Sequence, residues 1–330
     1  MAVTIQQRLA SSHPYERQAA PRVLTLSAVK PLPLLCSMGH ESIAIEQLVP
    51  GRLEATDSTA AFGSVLMTRI TSNLPVWIRV RGLPGWASYV LPDAASSIYC
   101  SGIRCGPEHC LVAGNGADLA LICRAPAEVT VCRIGARPSA PTPFQRGTGR
   151  LAGNAEELSR IRAMISSLHA PSDESLLHNA YAALRDSLAE PSAASHTSES
   201  LSGSHRAMSV ERGRRHIHSN LLGALRIANV CEAAGIRSRT LEYGFQELFG
   251  ISPVSYIKAL RLNHVRRMLL CPAAAGRTIT AIALDSGFCH LSQFAADYQK
   301  FFGESPSITR RRSLARESAL LREARSASGF

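Results

Sequence analysis

In the last third of the chain apolar residues recur at intervals of three and four, and the pattern is written twice. Leu241, Phe245, Leu248 and Phe249 stand at i, i+4, i+7 and i+8, which predicts an amphipathic helix ending at Gly250. Arg239, Thr240, Glu242, Tyr243 and Gln246 fall on its other face. A shorter helix over Leu225 to Ala234 precedes it, with Ile227, Val230, Cys231 and Ala234 in helical register. Gly235 follows where a helix C-terminus takes a left-handed residue, and Ser238 is placed to cap the next helix. Downstream the plan returns. Ile279, Ile282 and Ala283 mark a first helix, Gly287 a turn, and Leu291, Phe294, Ala295, Tyr298, Phe301 and Phe302 the inner face of a second. Each copy ends Phe-Gly-x-Ser-Pro. The turn glycines are 52 residues apart (Gly235 to Gly287) and the closing glycines 53 (Gly250 to Gly303). This predicts two helix-turn-helix units, 225–249 and 278–302. Between them Ser252-Pro253 opens a long helix to Cys271, since proline is tolerated in a first turn. Lys258, Arg261, Arg266 and Arg267 are expected on its outside, and Ile257, Leu260, Val265, Met268 and Leu269 inside.

The first half is patterned differently. Residues 64–71, 76–81, 119–123 and 128–133 are short runs rich in apolar or β-branched side chains. Val76, Ile78 and Val80 alternate with Trp77, Arg79 and Arg81, as in a half-buried strand. Pro50-Gly51, Asn73-Leu74-Pro75, Gly82-Leu83-Pro84-Gly85 and Gly114-Asn115-Gly116 separate the runs. Short strands without helices between them predict an antiparallel sandwich or barrel. Two helical stripes follow, Asn154 to His169 and Asp173 to Ala189, and form a helical hairpin that packs either on the sheet or on a second subunit. The expected organisation is a weakly ordered arm (1–30), a β-rich domain (31–190, hairpin 154–189), a Ser-rich flexible linker (191–205), a helical domain (206–312) and a basic tail (313–330). The fold class is α+β, with two domains of different class.

Charge sharpens this division. Residues 206–330 hold 19 Lys+Arg against 9 Asp+Glu, a balance of +10; residues 1–205 hold 17 against 16, a balance of +1. A basic module beside a near-neutral one points to a polyanion partner. Nine cysteines in 330 residues are no disulfide framework, and buried free thiols in a reducing compartment account for them. The first 25 residues carry Arg8, Glu16, Arg17 and Arg22 around no apolar core, and no run reaches the roughly 18 apolar residues a membrane helix needs. A cytoplasmic protein with no membrane contact is expected.

The helical region resembles the DNA-binding domain of AraC/XylS-type transcription regulators. The resemblance covers His216 to Arg312, about a third of the chain. It rests on Ala233-Ala234-Gly235, Arg239-Thr240-Leu241, Leu248-Phe249-Gly250-Ile251-Ser252-Pro253, Leu260-Arg261-Leu262-Asn263, Ile282-Ala283-Leu284, Ser286-Gly287-Phe288, Ser292-Gln293-Phe294 and Phe302-Gly303-Glu304-Ser305-Pro306. It implies seven helices, with two helix-turn-helix units entering successive major grooves. It also implies a cupin-like sensing and dimerisation domain upstream, with activation the commoner outcome and RNA polymerase the partner. The chain departs from the family at Ala296, where arginine is usual, and at Thr309, where an aromatic is usual.

Double-stranded DNA is therefore the expected partner. Arg239 suits guanine and Gln246 suits adenine. Arg237, Ser238, Thr240, Glu242 and Tyr243 share the first recognition surface, and Tyr243 either reaches DNA or packs on a neighbouring helix. The second offers His290, Ser292, Gln293 and Ala296, so unit one is expected to read bases and unit two to hold phosphate and shape. Arg237, Arg261, Arg266, Arg310, Arg311 and Arg312 are the candidate phosphate ligands, with helix N-termini near Ser238 and His290. In the β-region, Gly114-Asn115-Gly116-Ala117-Asp118 imitates a dinucleotide fingerprint but lacks its third glycine and reads as a hairpin turn. Cys100, Cys105, His109 and Cys110 fit no zinc spacing, and neither metal nor cofactor is expected. No nucleophile–base set argues for an enzyme. The leading reading is a DNA-binding transcription regulator with a small-molecule effector and a homodimeric form. Its rivals are a ligand-independent regulator, controlled by thiol or metal chemistry or by a protein partner, and a DNA-anchored enzyme.

Overall fold

The computed structural model describes residues 22–24, 43–62, 65–82, 85–93, 96, 98–100, 103–114, 117–124, 127–135, 148–152, 155–168 and 205–315. The expected second helix of the hairpin (173–189), nearly all of the linker and arm, and the tail beyond 315 lie outside them. The chain forms two compact units. The first takes in Leu34–Ile45 and Glu54–Gly203; the second takes in Glu46–Leu53 and Ser204–Phe330.

The described strands form two sheets. The larger holds β1 (Arg22–Leu24), β3 (Ala55–Phe62), β4 (Val65–Ser72), β11 (Ala127–Gly135), β6 (Trp86–Pro92), β9 (His109–Ala113) and β12 (Thr148–Ala152), in that spatial order. The smaller holds β2 (Ile43–Gln47), β5 (Val76–Val80), β10 (Leu119–Cys123), β7 (Ile98–Cys100) and β8 (Ile103–Cys105). The pairings β3–β4, β4–β11, β11–β6, β6–β9 and β9–β12 are antiparallel, as are β5–β10, β10–β7 and β7–β8. Val76, Ile78 and Val80 are buried together, with Leu121 opposite Ile78.

One face of the larger sheet carries Met67, Tyr89, Leu91, Val112 and Cys132, and Leu158 and Ile161 of helix α1 (Ala155–Leu168) close over it. The first helix of the predicted hairpin thus packs on the sheet. Each such aliphatic side chain contributes about 1.5–3 kcal/mol by leaving water. Ala117 N–H donates to Gly114 O at 2.8 Å. The strands on either side, β9 and β10, belong to different sheets, so the expected hairpin is not formed.

The second unit is helical in its described part from 205 on: α2 (His205–Ser219), α3 (Ile227–Ala234), α4 (Ser238–Phe249), α5 (Pro253–Leu270), α6 (Ile279–Asp285), α7 (Leu291–Phe302) and α8 (306–315), with one 3-10 turn at Pro272–Ala274. His205, assigned to the linker by composition, opens α2. Gly235 (φ 67°) closes α3, and Ile236 N–H reaches Cys231 O at 3.1 Å. Ser252 caps α5, its Oγ accepting from Ser255 N–H at 3.1 Å, with Pro253 at the first position. Thr278 caps α6 in the same way. Ser238 does not cap α4: it is already helical, and Arg237 occupies the cap without a side-chain bond.

The outward reading of α5 fails at Arg266. That side chain is buried, and so are Tyr256, Ala259, Leu262 and Asn263 around the rest of the helix. Ala259, Leu262, Val265 and Leu269 join Ile282, Ala283, Phe294, Tyr298, Phe301 and Phe302 in one core.

Five of the described cysteines (Cys100, Cys105, Cys110, Cys123, Cys132) are buried, whereas Cys231 is half-buried and Cys271 and Cys289 are exposed. Among the described cysteines, the expectation of buried thiols therefore holds for those of the β-unit alone. Burial pushes the Cys123 and Cys132 thiols up to about 12 and holds them protonated at neutral pH. No described helix is long and apolar enough to cross a membrane.

Candidate nucleic-acid interface

Each unit presents one amphipathic helix whose apolar side is sunk in the core. On α4, Leu241, Phe245, Leu248 and Phe249 are buried, while Arg237, Ser238, Arg239, Glu242, Tyr243 and Gln246 are exposed and Thr240 half-buried. Tyr243 is 57% exposed, so it does not pack on a neighbouring helix. Instead it stands one turn from Arg239. Arg239 Nη2 donates to Tyr243 Oη at 3.2 Å, and the guanidinium carbon lies 5.5 Å from the ring centroid. The ring and the planar cation hold each other out from the helix, and a guanidinium held this way loses less freedom on meeting a base edge. Gln246 Nε2 bonds Gly250 O at 3.1 Å, an exposed contact it can exchange for a ligand.

On α7 the buried side is Phe294, Tyr298, Phe301 and Phe302. Leu291 and Ala295, read as inward, are exposed. His290, Ser292, Gln293 and Ala296 form the outer face, and Gln293 Nε2 bonds Asp297 Oδ1 at 3.1 Å. Asp297 also pairs with Lys258 Nζ at 2.6 Å. Neither Arg237 at the start of α4 nor His290 at the start of α7 makes a side-chain cap bond, so the first-turn N–H groups are not satisfied by their own N-cap residue.

Three expected phosphate ligands are committed inside the protein. Arg261 donates to Leu221 O (3.0 Å), Gly223 O (3.0 Å) and Gly287 O (3.2 Å), tying the loop after α2 to the turn of unit two. Gly287 has φ 84°, and a Cβ there would come within 2.7 Å of the Arg261 guanidinium, so the turn needs glycine on both counts. Arg266 is buried, bonds Glu304 Oε1 at 3.0 Å and lies 4.4 Å over the Phe302 ring. Arg310 donates to Ala274 O, Ala275 O and Arg277 O at 3.0, 3.3 and 2.5 Å. Helical spacing marks such residues as cationic but cannot tell a cation that meets phosphate from one that satisfies carbonyls. Arg312 pairs with Glu304, and Arg311 is exposed.

In the β-unit, Cys100 and Cys105 lie on the paired strands β7 and β8, and His109 Nδ1 stands 2.9 Å from Glu108. The described residues hold no group of three or more His, Cys, Asp or Glu side chains arranged to bind a metal ion.

Residues 230–312 match a helix-turn-helix domain family. The XylDLEGF operon transcriptional activator of Pseudomonas putida is 40% identical over 103 residues, 31% of this chain and 32% of that protein. The C-terminal region is a DNA-binding domain of the AraC/XylS type. The melibiose operon regulatory protein of Escherichia coli K12 is 32% identical over 113 residues, 32% of this chain and 36% of its own length. A solved transcriptional regulator with an AraC-type DNA-binding domain, from Chromobacterium violaceum, is 25% identical over 32% of this chain and 91% of that one, with a TM-score of 0.30. The chain spans about a third of the length of these curated relatives, and the likeness lies in the AraC/XylS-type region.

Proposed function

We propose that the protein is a sequence-specific DNA-binding transcription regulator, acting as an activator, and that it is not an enzyme. The observation that carries this is the repeated frame: two recognition helices, each sunk on its apolar side and polar on its outer side, in a region of charge +10. α4 and α7 enter adjacent major-groove segments. Arg239 takes guanine, with Tyr243 beside it, and Gln246 takes adenine; Thr240 and Glu242 border the same surface. Arg237, Arg311 and the first-turn N–H groups of α4 and α7 take phosphates. Arg261, Arg266 and Arg310 hold the frame and stay out of the interface. His290, Ser292 and Gln293 make the lighter contacts of unit two. The β-unit is the sensing and dimerisation domain for a small-molecule effector, and promoter-bound protein meets RNA polymerase.

The test is binding of the full chain to the region upstream of its own gene, over a salt series and with each half of the site replaced in turn. Selective binding that weakens steeply with salt supports the reading. Equal losses from the two replacements would refute the division of labour, and indifference to sequence would refute the regulator.

A further inference from the structure

Glu46–Leu53 lies far upstream of the helices, yet it folds into the same compact unit. Gln47 is 3% exposed, and its Nε2 is shared among Val49 O (2.8 Å), Gly51 O (3.0 Å) and Phe301 O (3.0 Å). Gly51 N–H reaches the same Phe301 O at 3.0 Å. Phe301 sits in the last turn of α7, where carbonyls have no partner further along the helix. On the other side, Asn263 Nδ2 of α5 donates to Gln47 O and Ala259 O, both at 2.8 Å. Glu46 pairs with Arg267 of α5, and Leu48 is buried. Residues 46–53 thus bridge the long helix to the C-terminal end of α7.

We infer that the DNA-binding unit is discontinuous in sequence, built from 46–53 and 205–315, and that Gln47 is the positioning residue for the second recognition helix. This rests on reading α7 as a recognition helix. Two N–H donors on one terminal carbonyl fix where α7 ends, and Asn263 fixes the donors relative to α5. The direction in which Ser292 and Gln293 face DNA follows from that alignment. Gln47 touches no nucleic acid itself.

The full chain carrying Gln47→Glu tests this, because the substitution keeps the shape and replaces the donor by an acceptor facing Phe301 O. Amide exchange in the last turn of α7 is expected to quicken about tenfold or more while α4 keeps its protection. The footprint should lose the unit-two segment and retain the unit-one segment. Adding Gln293→Ala should then cost nothing further, since both changes act through one helix. Should Gln47→Glu fail to fold, Asn263→Ser removes the tie from the other side and is expected to give the same pattern. Unchanged exchange in α7, equal acceleration in α4 and α7, or additive losses would overturn the inference. If the unsubstituted chain binds no DNA selectively while α7 alone responds in exchange, the transcription reading fails and the positioning stands.

Discussion

The two helix-turn-helix units share a frame and close it with different chemistry. At an offset of 53 residues, Leu241, Phe245, Phe249, Gly250 and Pro253 map onto Phe294, Tyr298, Phe302, Gly303 and Pro306. Tyr256 maps onto Thr309, the departure from the family noted above. In unit one Phe245 has no hydroxyl and packs edge-on to Tyr256 with centroids 5.5 Å apart; Tyr256 Oη meets His218 Nε2 at 2.9 Å. In unit two the hydroxyl has moved to the other partner. Tyr298 Oη donates to Thr309 Oγ1 at 3.0 Å, Thr309 Oγ1 donates to Glu304 Oε1 at 2.8 Å, and Glu304 takes Arg266 at 3.0 Å. Both units end on a buried arginine–carboxylate pair, reached in unit one from the Tyr256 hydroxyl through Arg214 to Glu211 and in unit two from the Tyr298 hydroxyl through Thr309 to Glu304, so the phenol has changed helix. A second difference lies at Gly244, mapped onto Asp297. A Cβ on Gly244 would come within 2.3 Å of Val210, so α2 crosses α4 with the backbone close, whereas Asp297 reaches Lys258 of α5. The repeat preserves where helices start and stop, while the groups that hold them together have diverged.

Removing the anchor of the hydrogen-bond chain breaks the comparison most severely. Glu304→Ala leaves Arg266 buried beneath Phe302 without its carboxylate and is expected to cost about 3–5 kcal/mol in denaturant unfolding, as for a broken buried pair. Glu211→Ala is the matching change in unit one, because Glu211 accepts from Arg214 Nε and Nη2, both at 2.7 Å. Losses of similar size would mean that both units rest on a buried arginine. A loss below about 1 kcal/mol at Glu304, the range of an exposed pair, would sink the view that unit two is held by its polar chain.

The outer faces differ in the same sense, and the expected effect is smaller. Arg239→Ala should weaken binding by about 1–3 kcal/mol and relax discrimination at one position, with no change in unfolding midpoint because the side chain is exposed. Gln293→Ala should cost less, since Gln293 already spends a donor on Asp297. Titration of operator variants against both proteins checks this, and a larger loss at Gln293 would reverse the roles assigned to the units.

These contrasts show what was legible in the chain and what was not. Helix limits were readable because glycine, serine and proline act locally: Gly235, Gly250, Gly287 and Gly303 all adopt positive φ. The strands at 65–72, 76–80, 119–123 and 127–135 were readable for their short runs of apolar or β-branched residues. β6 was not singled out, because Ala87 to Pro92 is buried on both faces and so does not alternate. The facing of α5 was misread for a related reason: it serves two cores, so its periodicity has no single polar side. Which arginines face outward depends on carbonyls such as Leu221 O and Ala274 O, brought close only by the finished fold. The same holds for residues 46–53, whose partners are Asn263 and Phe301.

The smallest expected effect is the most discriminating for the exchange of hydroxyls. Burial pushes the phenols of Tyr256 and Tyr298 up from 10.0 to about 12 in the folded chain. Unfolded, each would ionise near 10. Between pH 10 and 12 the unfolded chain therefore sheds protons that the folded chain keeps, and stability falls across that window. Tyr298→Phe removes one titrating group together with its bond to Thr309. At neutral pH it should cost about 1 kcal/mol, the usual net worth of a hydrogen bond. Above pH 10 the variant should lose stability less steeply than the parent, so the two curves converge. Adding Thr309→Tyr gives unit two the Phe–Tyr pair of unit one and should return part of the neutral-pH loss, because the new ring fills the space and offers its own hydroxyl. Unfolding curves at pH 7 and at intervals from 9 to 12 decide the matter. If the single variant parallels the parent at alkaline pH, Tyr298 is not the titrating group. If the double variant is worse than the single at pH 7, the two closures are not interchangeable, and the units have diverged further than their shared frame implies.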